Sequence, residues 1–379
     1  MSNARMPGGL QEPTGIASSP GPVSESGLSG AGTVRPAAIA GGQSSVLMKL
    51  VRSRESGVFA AFLILFGILS VVRFYSFLSY GNLTNLGVQI TFMAITGIGV
   101  LFVILTSGVD LSLGSTAGLC SFVCAIFVVI TPNPYLGIGV GLLAAIATGA
   151  IVGAVNGLIV SYVNVTSFIV TLGMLYVGRS AIYVLGRYVV ADHIVPVAER
   201  QASAMPVTGI PDVFVRAGSG SLLGVPIPIL ILVVLAVVAH IILTYTVFGR
   251  RLYAIGGNEE ATHLSGIDVK RVKFFSYVVC SAICGITGFL YVARFTSGTM
   301  EAGKGHELEA IAAAVIGGTS LLGGSGSVVG VILGACVMGV VSNGLDLLGV
   351  PPEPKPGIIG AVIIIAAIVD VMRNRSRTR

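Results

Sequence analysis

Charge is what this chain has least of. Asp, Glu, Lys and Arg make up 10% of its 379 residues, where a soluble domain carries about a quarter. So few charges cannot clothe a water-facing surface, and a soluble globular fold is excluded. Catalytic signatures are missing too. None of the lysines is followed by Ser or Thr, so there is no Walker A loop and no self-contained ATPase. There is no HExxH pair, no GxSxG elbow and no tryptophan, and nothing resembles a hydrolytic constellation. Cys120, Cys124, Cys280, Cys284 and Cys336 all lie inside apolar runs, without a nearby histidine or carboxylate. They read as small packing residues, not metal ligands. No enzyme, metal or cofactor is expected in this chain. A net charge of +6 raises nucleic acid as a partner. The basic residues are spread over several short connections with no aromatic-basic patch, which excludes it.

Apolar residues are what it has most of, at 54% of the chain, with 52 glycines and a mean hydropathy of +0.94. Abundant small residues suit close helix packing in lipid. The composition predicts an all-α, polytopic membrane protein. Apolar runs fall at 57–74, 84–107, 113–131, 135–162, 166–186, 226–248, 273–293, 307–322, 326–349 and 357–372, which suggests about ten transmembrane helices. The runs at 113–131 and 307–322 are short and adjoin Gly/Ser turns, so either can be a half-helix or re-entrant segment. Residues 1–45 are rich in Gly, Ser, Pro and Ala and read as a disordered cytoplasmic tail, ahead of a membrane domain at 46–379. Ten spans with a cytoplasmic N-terminus put 14 of the 22 basic residues on the inside, including the RR, KRVK and RNRSRTR clusters. Both termini are then cytoplasmic. The long external segment at 186–226 carries no recognisable chemistry.

Several polar residues stand out against this background. Asp110, in SGVDLSLGS, reads first as the N-cap of the next helix and second as an ion or substrate contact. Gly149, Gly153 and Gly157 recur every four residues and predict a close-packing groove, with Asn156 beside it as an interhelical hydrogen-bonding group. Lys304, His306, Glu307 and Glu309 read as a solvated turn, or else as a contact for an external partner. Arg179 lies within a span and needs a partner. Asp346, near Asn343 in another span, is the candidate, either as a structural ion pair or as part of a substrate contact. The Gly/Ser turns in TSGVDLSLGSTAGL and GGTSLLGGSGSVVG break two runs alike and face the same side. They reflect either an internal duplication or two independent glycine breaks.

One charged, glycine-bounded stretch, GGNEEATHLSG at 256–266, lies in the connection at 249–272. Asn258 is placed to cap a helix, with Glu259 and Glu260 in its first turn, where acidic groups favour the dipole. Gly266 suits the C′ position, and Asp268 suits the cap of the next span. Such a helix of two turns is not stable alone in water and needs a partner surface.

The stretch GRRLYAIGGNEEATHLSGIDVKRVK resembles the cytoplasmic loop of the ribose-type ABC importer permeases. The resemblance continues through SGVDLSLGS, NGLIVSYVNVTSFIVTLGMLYVGRS and EAIAAAVIGGTSLLGGSGSVVGVILGA, in order, over about residues 57–372. It implies a type II ABC importer-like fold in the bacterial inner membrane. It implies a cytoplasmic ABC ATPase as partner, which uses the ATP and magnesium, a periplasmic sugar-binding protein, and a second permease copy in a homodimer. The short helix would be the coupling helix, with Arg250, Gly257, Asn258, Glu259, Glu260, Ala261, Leu264, Ser265 and Gly266 forming the ATPase-docking segment. One departure is notable. Family members often carry proline in the stretch where this chain has Thr166 and Ser167. Asp110, Asn156, Arg179, Asn343 and Asp346 remain pathway or structural residues. Competing readings are an ion-gradient secondary transporter, a membrane-embedded enzyme, and an ABC permease for a non-sugar solute such as branched-chain amino acids.

Overall fold

In lipid every backbone amide and carbonyl must be satisfied within the protein, so apolar runs close into helices. The computed structural model describes residues 54–194 and 205–375. The expected disordered tail, 1–45, lies outside them. The helices are α1 (Arg54–Val72), α2 (Phe74–Phe77), α3 (Tyr80–Ile104), α4 (Leu113–Ile130), α5 (Pro134–Ser161), α6 (Ser167–Val184), α7 (Asp212–Ser219), α8 (Ile227–Tyr245), α9 (Val247–Gly257), α10 (Glu259–Leu264), α11 (Val269–Phe295), α12 (His306–Ile316), α13 (Val328–Leu347) and α14 (Lys355–Arg375). A π-wound segment, Leu185–Ile194, continues α6, and a two-stranded hairpin, β1 (Ser221–Leu222) with β2 (Val225–Pro226), leads into α8.

Among the described residues eight helices are long and apolar enough to cross a membrane: α1, α3, α4, α5, α6 with its extension, α8, α11 and α13. They fall into two classes. The apolar windows of α3, α4, α11 and α13 are between 61% and 83% buried, while those of α1, α5, α6 and α8 are between 6% and 22% buried. The first set forms the core and the second surrounds it.

Of the two runs flagged as short, 113–131 is a full helix of 18 residues. The other, 307–322, holds an 11-residue helix, α12, about 16 Å long, or half a hydrocarbon core. Irregular backbone supplies the rest of that crossing. After α11 the chain reverses at Thr296 (φ 54°), pairs Gly298 with Val207 in an antiparallel bridge, and turns again at Gly303 and Gly305 with positive φ. Two stretches expected to be loop are ordered: α9 fills the first half of 249–272, and α7 lies within 186–226.

The glycine groove on α5 is real. A methyl at Gly149 or Gly153 would overlap the Ser281 or Tyr277 carbonyl, and one at Gly157 would stand 2.8 Å from the Phe274 carbonyl, all on α11. The two helices touch backbone to backbone, as small residues permit in lipid.

Candidate functional site

The segment 246–268 is positioned by caps. Thr246 begins α9, its hydroxyl accepting from the Gly249 N–H at 3.2 Å. Arg250 lies on the exposed face and donates to the Tyr245 carbonyl at 3.3 Å. Asn258 separates α9 from α10, its side chain accepting from the Ala261 N–H at 2.9 Å. Glu259 and Glu260 occupy the first turn of α10. Glu259 pairs with Lys273 on α11 at 2.7 Å, linking the two helices. Ser265 closes α10 through its hydroxyl to the Ala261 carbonyl, and Gly266 reverses the chain at φ +81°. Asp268 then caps α11, accepting from the Arg271 N–H at 3.1 Å. Leu264 is 80% exposed, an apolar side chain on a six-residue helix with no cover. A cleft of about 650 Å³ opens between this segment and the end of α5, bounded by Ser161, Glu259, His263, Lys270 and Lys273.

The base of this segment is fixed to both Gly/Ser turns. Gly256, in the last turn of α9, approaches the Leu105 carbonyl and the Gly324 amide too closely to admit a side chain. The Gly324 N–H donates to the Leu105 carbonyl at 3.1 Å, and the Ser107 hydroxyl to the Leu322 carbonyl at 2.7 Å. Tyr253 on α9 donates to the Gly326 carbonyl at 2.9 Å. Burial pushes the Tyr253 hydroxyl up, so it remains a donor. The turns at 105–112 and 317–327 therefore meet each other and α9 at one end of the bundle. The start of α1 lies at the same end, since Ser327 donates to Glu55 at 2.6 Å.

Asp110 is fully buried, but it is not the cap of α4. Ser112 occupies that position, and Asp110 Oδ1 accepts from its N–H at 2.8 Å and its hydroxyl at 2.6 Å. A short carboxylate satisfying backbone two residues on forms an Asx-turn, which orders the irregular entry to the helix. Asn156 reaches across from α5 and donates to the Ser112 hydroxyl at 3.0 Å. Asp110 Oδ2, Asn156 Oδ1 and Tyr277 Oη are buried with no hydrogen-bond partner in the structure. The first turn of α6 covers the rest of the loop, Ser167 Oγ accepting from the Val109 N–H at 3.2 Å and Thr171 Oγ1 from the Leu111 N–H at 3.1 Å.

Arg179 and Asp346 do not meet. Arg179 donates to the Ala302 carbonyl at 2.8 Å and the Met300 carbonyl at 3.4 Å. The irregular backbone before α12 leaves carbonyls without helical partners, and a charged donor in the neighbouring span supplies them. Asp346 instead pairs with Lys355. Asn343 exchanges two hydrogen bonds with Asn82, at 2.9 and 3.2 Å, tying α13 to α3. The expected solvated turn around His306 is also overturned. His306 is buried, with Nε2 lying 3.2 Å from both the Phe92 carbonyl and the Thr96 hydroxyl. Glu307 Oε2 is buried against Gly114. The sequence had no signal for this, because the residues joining here are separated by about two hundred positions. Among the described residues no group of His, Cys, Asp and Glu is arranged to hold a metal ion.

A family profile described as branched-chain amino acid transport system / permease component matches residues 82–367. The chain is 39% identical over 312 residues to the ribose import permease protein of Escherichia coli (strain K12), covering 82% of this chain and 91% of that one. It is 31% identical over 294 residues to the D-allose transport system permease protein of the same organism, covering 78% and 84%. It is 32% identical over 323 residues to the L-arabinose ABC transporter permease protein of Azospirillum brasilense, covering 85% and 89%. No solved structure matches the chain.

Proposed function

The chain belongs to the family of branched-chain amino acid transport system permease components, and from that premise we propose that it is the membrane-spanning subunit of an ABC importer for a simple sugar. A transport permease is not an enzyme, so the membrane-enzyme reading falls with that membership. The observation that carries the sugar is the similarity, along nearly the whole membrane domain, to permeases named for ribose, D-allose and L-arabinose.

In this reading α10 is the coupling helix. It is a capped two-turn helix that cannot stand alone in water, it presents Leu264 outward, and its base is keyed to both Gly/Ser turns. A cytoplasmic ATPase receives Leu264 and the acidic first turn in a cleft. Closure of the ATPase pair on ATP then pulls α9 and, through Gly256, the two turns that begin α4 and α13. The end of the bundle bearing α10 is cytoplasmic, as are both termini, and a periplasmic sugar-binding protein delivers its cargo at the other end. A second copy of the chain completes the pathway as a homodimer in the bacterial inner membrane.

The test is reconstitution with the partner ATPase and binding protein in proteoliposomes. Stimulated ATP hydrolysis and uptake of a pentose or hexose are expected. Stimulation by leucine, isoleucine or valine, with none by any sugar, would move the assignment to the solute in the family's description.

A further inference from the structure

The connection between α11 and α12 encloses a pocket of about 330 Å³ that nothing in the coupling geometry uses. Resting on the sugar reading above, we propose that this pocket is the station where the sugar pauses inside the permease, with Phe295 and Tyr291 as its apolar wall and Glu309, His306 and Thr299 as its polar side.

Depth is the first argument. His306 bonds to Phe92 and Thr96, which stand at the middle of the 25-residue α3. The Ala302 carbonyl lies against Gly118, about 18 Å below the outer end of α4 at 1.5 Å per residue. The pocket floor is therefore near the bilayer midplane, where a half-helix and irregular backbone meet, the arrangement in which membrane transporters hold small solutes. Charge is the second argument. The Glu309 side chain keeps 26% of its surface exposed, one turn beyond His306. Glu301 and Lys304 pair at 3.0 Å on the rim with most of their surface open. A carboxylate at that depth cannot face hydrocarbon, so the open side of the pocket holds water and belongs to the pathway.

Chemistry names the ligand class. Tyr291 stacks on Phe92 with ring centroids 4.8 Å apart, and Phe295 follows at 5.7 Å. Phe295 is half exposed and lines the pocket. The polar lining is the Glu309 carboxylate, which His306 Nδ1 approaches to 3.4 Å and so orients, and the Thr299 hydroxyl. One apolar face set against several hydrogen-bonding groups fits a sugar ring, whose C–H face packs on an aromatic and whose hydroxyls bond the rest. The volume lies at the low end of small-molecule sites and suits a monosaccharide. Arg179 holds the floor through the Met300 and Ala302 carbonyls, so the pocket is preformed. A site in the path must bind weakly enough to release, and a single open wall provides that.

The experiment uses the intact complex in proteoliposomes with Glu309→Gln, Glu309→Asp and Phe295→Ala. ATPase stimulation by the loaded binding protein reports folding and coupling, and uptake reports the pathway. Stimulation should remain detectable in each variant, which shows a folded, coupled complex. Uptake should fall about tenfold or more in Glu309→Gln, the loss of one charge-assisted hydrogen bond, and recover in part in Glu309→Asp. Phe295→Ala should change the ratio of rates for two sugars that are epimers at one carbon. Wild-type rates and ratios in both Glu309→Gln and Phe295→Ala would overturn the site. A variant that fails to assemble is replaced by Thr299→Cys, which should react with a membrane-impermeant maleimide from the outer side. Absence of labelling in every nucleotide state also overturns it. If the wild-type complex takes up a non-sugar solute instead, the sugar reading fails by itself, and the same variants assayed with that solute decide whether the pocket is on its path.

Discussion

Single atoms decide much of this structure. Gly149 on α5 lies so close to α11 that one methyl group would overlap the Ser281 carbonyl, whereas Gly139, on the same helix, has open space around it. Gly149→Ala should therefore lower stability by about 1–3 kcal/mol through overpacking, and Gly139→Ala should be neutral or slightly stabilising. Thermal unfolding of the two variants in one detergent compares them directly, and equal melting temperatures would contradict the packing described. Ser167 has a specific role at the start of α6. It is the first residue of α6, a position proline also tolerates, but its hydroxyl accepts from the Val109 N–H. Ser167→Pro should keep the helix start and free that amide, costing roughly 1–3 kcal/mol. Serine behaving as a mere spacer would instead leave the melting temperature unmoved.

Between residues and the whole molecule, the unit that matters is the pair α9–α10. Its tip is capped and sets exposed Leu264 beside an acidic first turn, and its base is wedged between two turns. Three variants separate those roles. Leu264→Asp should abolish co-purification of the ATPase without altering insertion, because it removes the exposed apolar group at the tip. Reversing charge with Glu259→Lys and Glu260→Lys breaks the pair to Lys273 and should uncouple ATP hydrolysis from uptake. Normal uptake in that double variant would remove α10 from the coupling role. Gly256→Ala should leave ATPase docking intact while uptake falls at least tenfold, since a methyl there meets Leu105 and Gly324 backbone that cannot yield. Loss of docking in that variant would mean that α9 shapes the tip rather than transmitting its movement.

At the scale of the molecule, orientation is the open consequence. The 307–322 run passes from one end of the bundle to the other, half as irregular chain and half as α12, while eight helices among the described residues, against the ten runs expected, are long and apolar enough to cross. A reporter fused after Arg379 should read cytoplasmic, and a periplasmic signal would invert the assignment of α10 to the ATPase side. The polar residues singled out in the sequence met different fates. Asn258, Gly266 and Asp268 took the caps their residue types announced. Arg179 found backbone carbonyls rather than Asp346, and Glu307 and His306 went inward rather than to solvent.

That division has one physical cause. The sequence by itself determined the features that depend on neighbours within a turn or two: apolar runs of spanning length, the caps of α10 and α11, and the period-four glycines of α5. Each follows from local hydrogen bonding, helical periodicity or transfer from water to lipid, and needs no knowledge of distant chain. Only the tertiary structure decided which broken run became a half-helix, which carbonyls Arg179 would serve, and that α9 would join the turns at 105 and 324. Those outcomes depend on buried polar groups finding partners hundreds of residues away, in surroundings where an unmet hydrogen bond costs several kcal/mol and only assembled packing settles who meets whom.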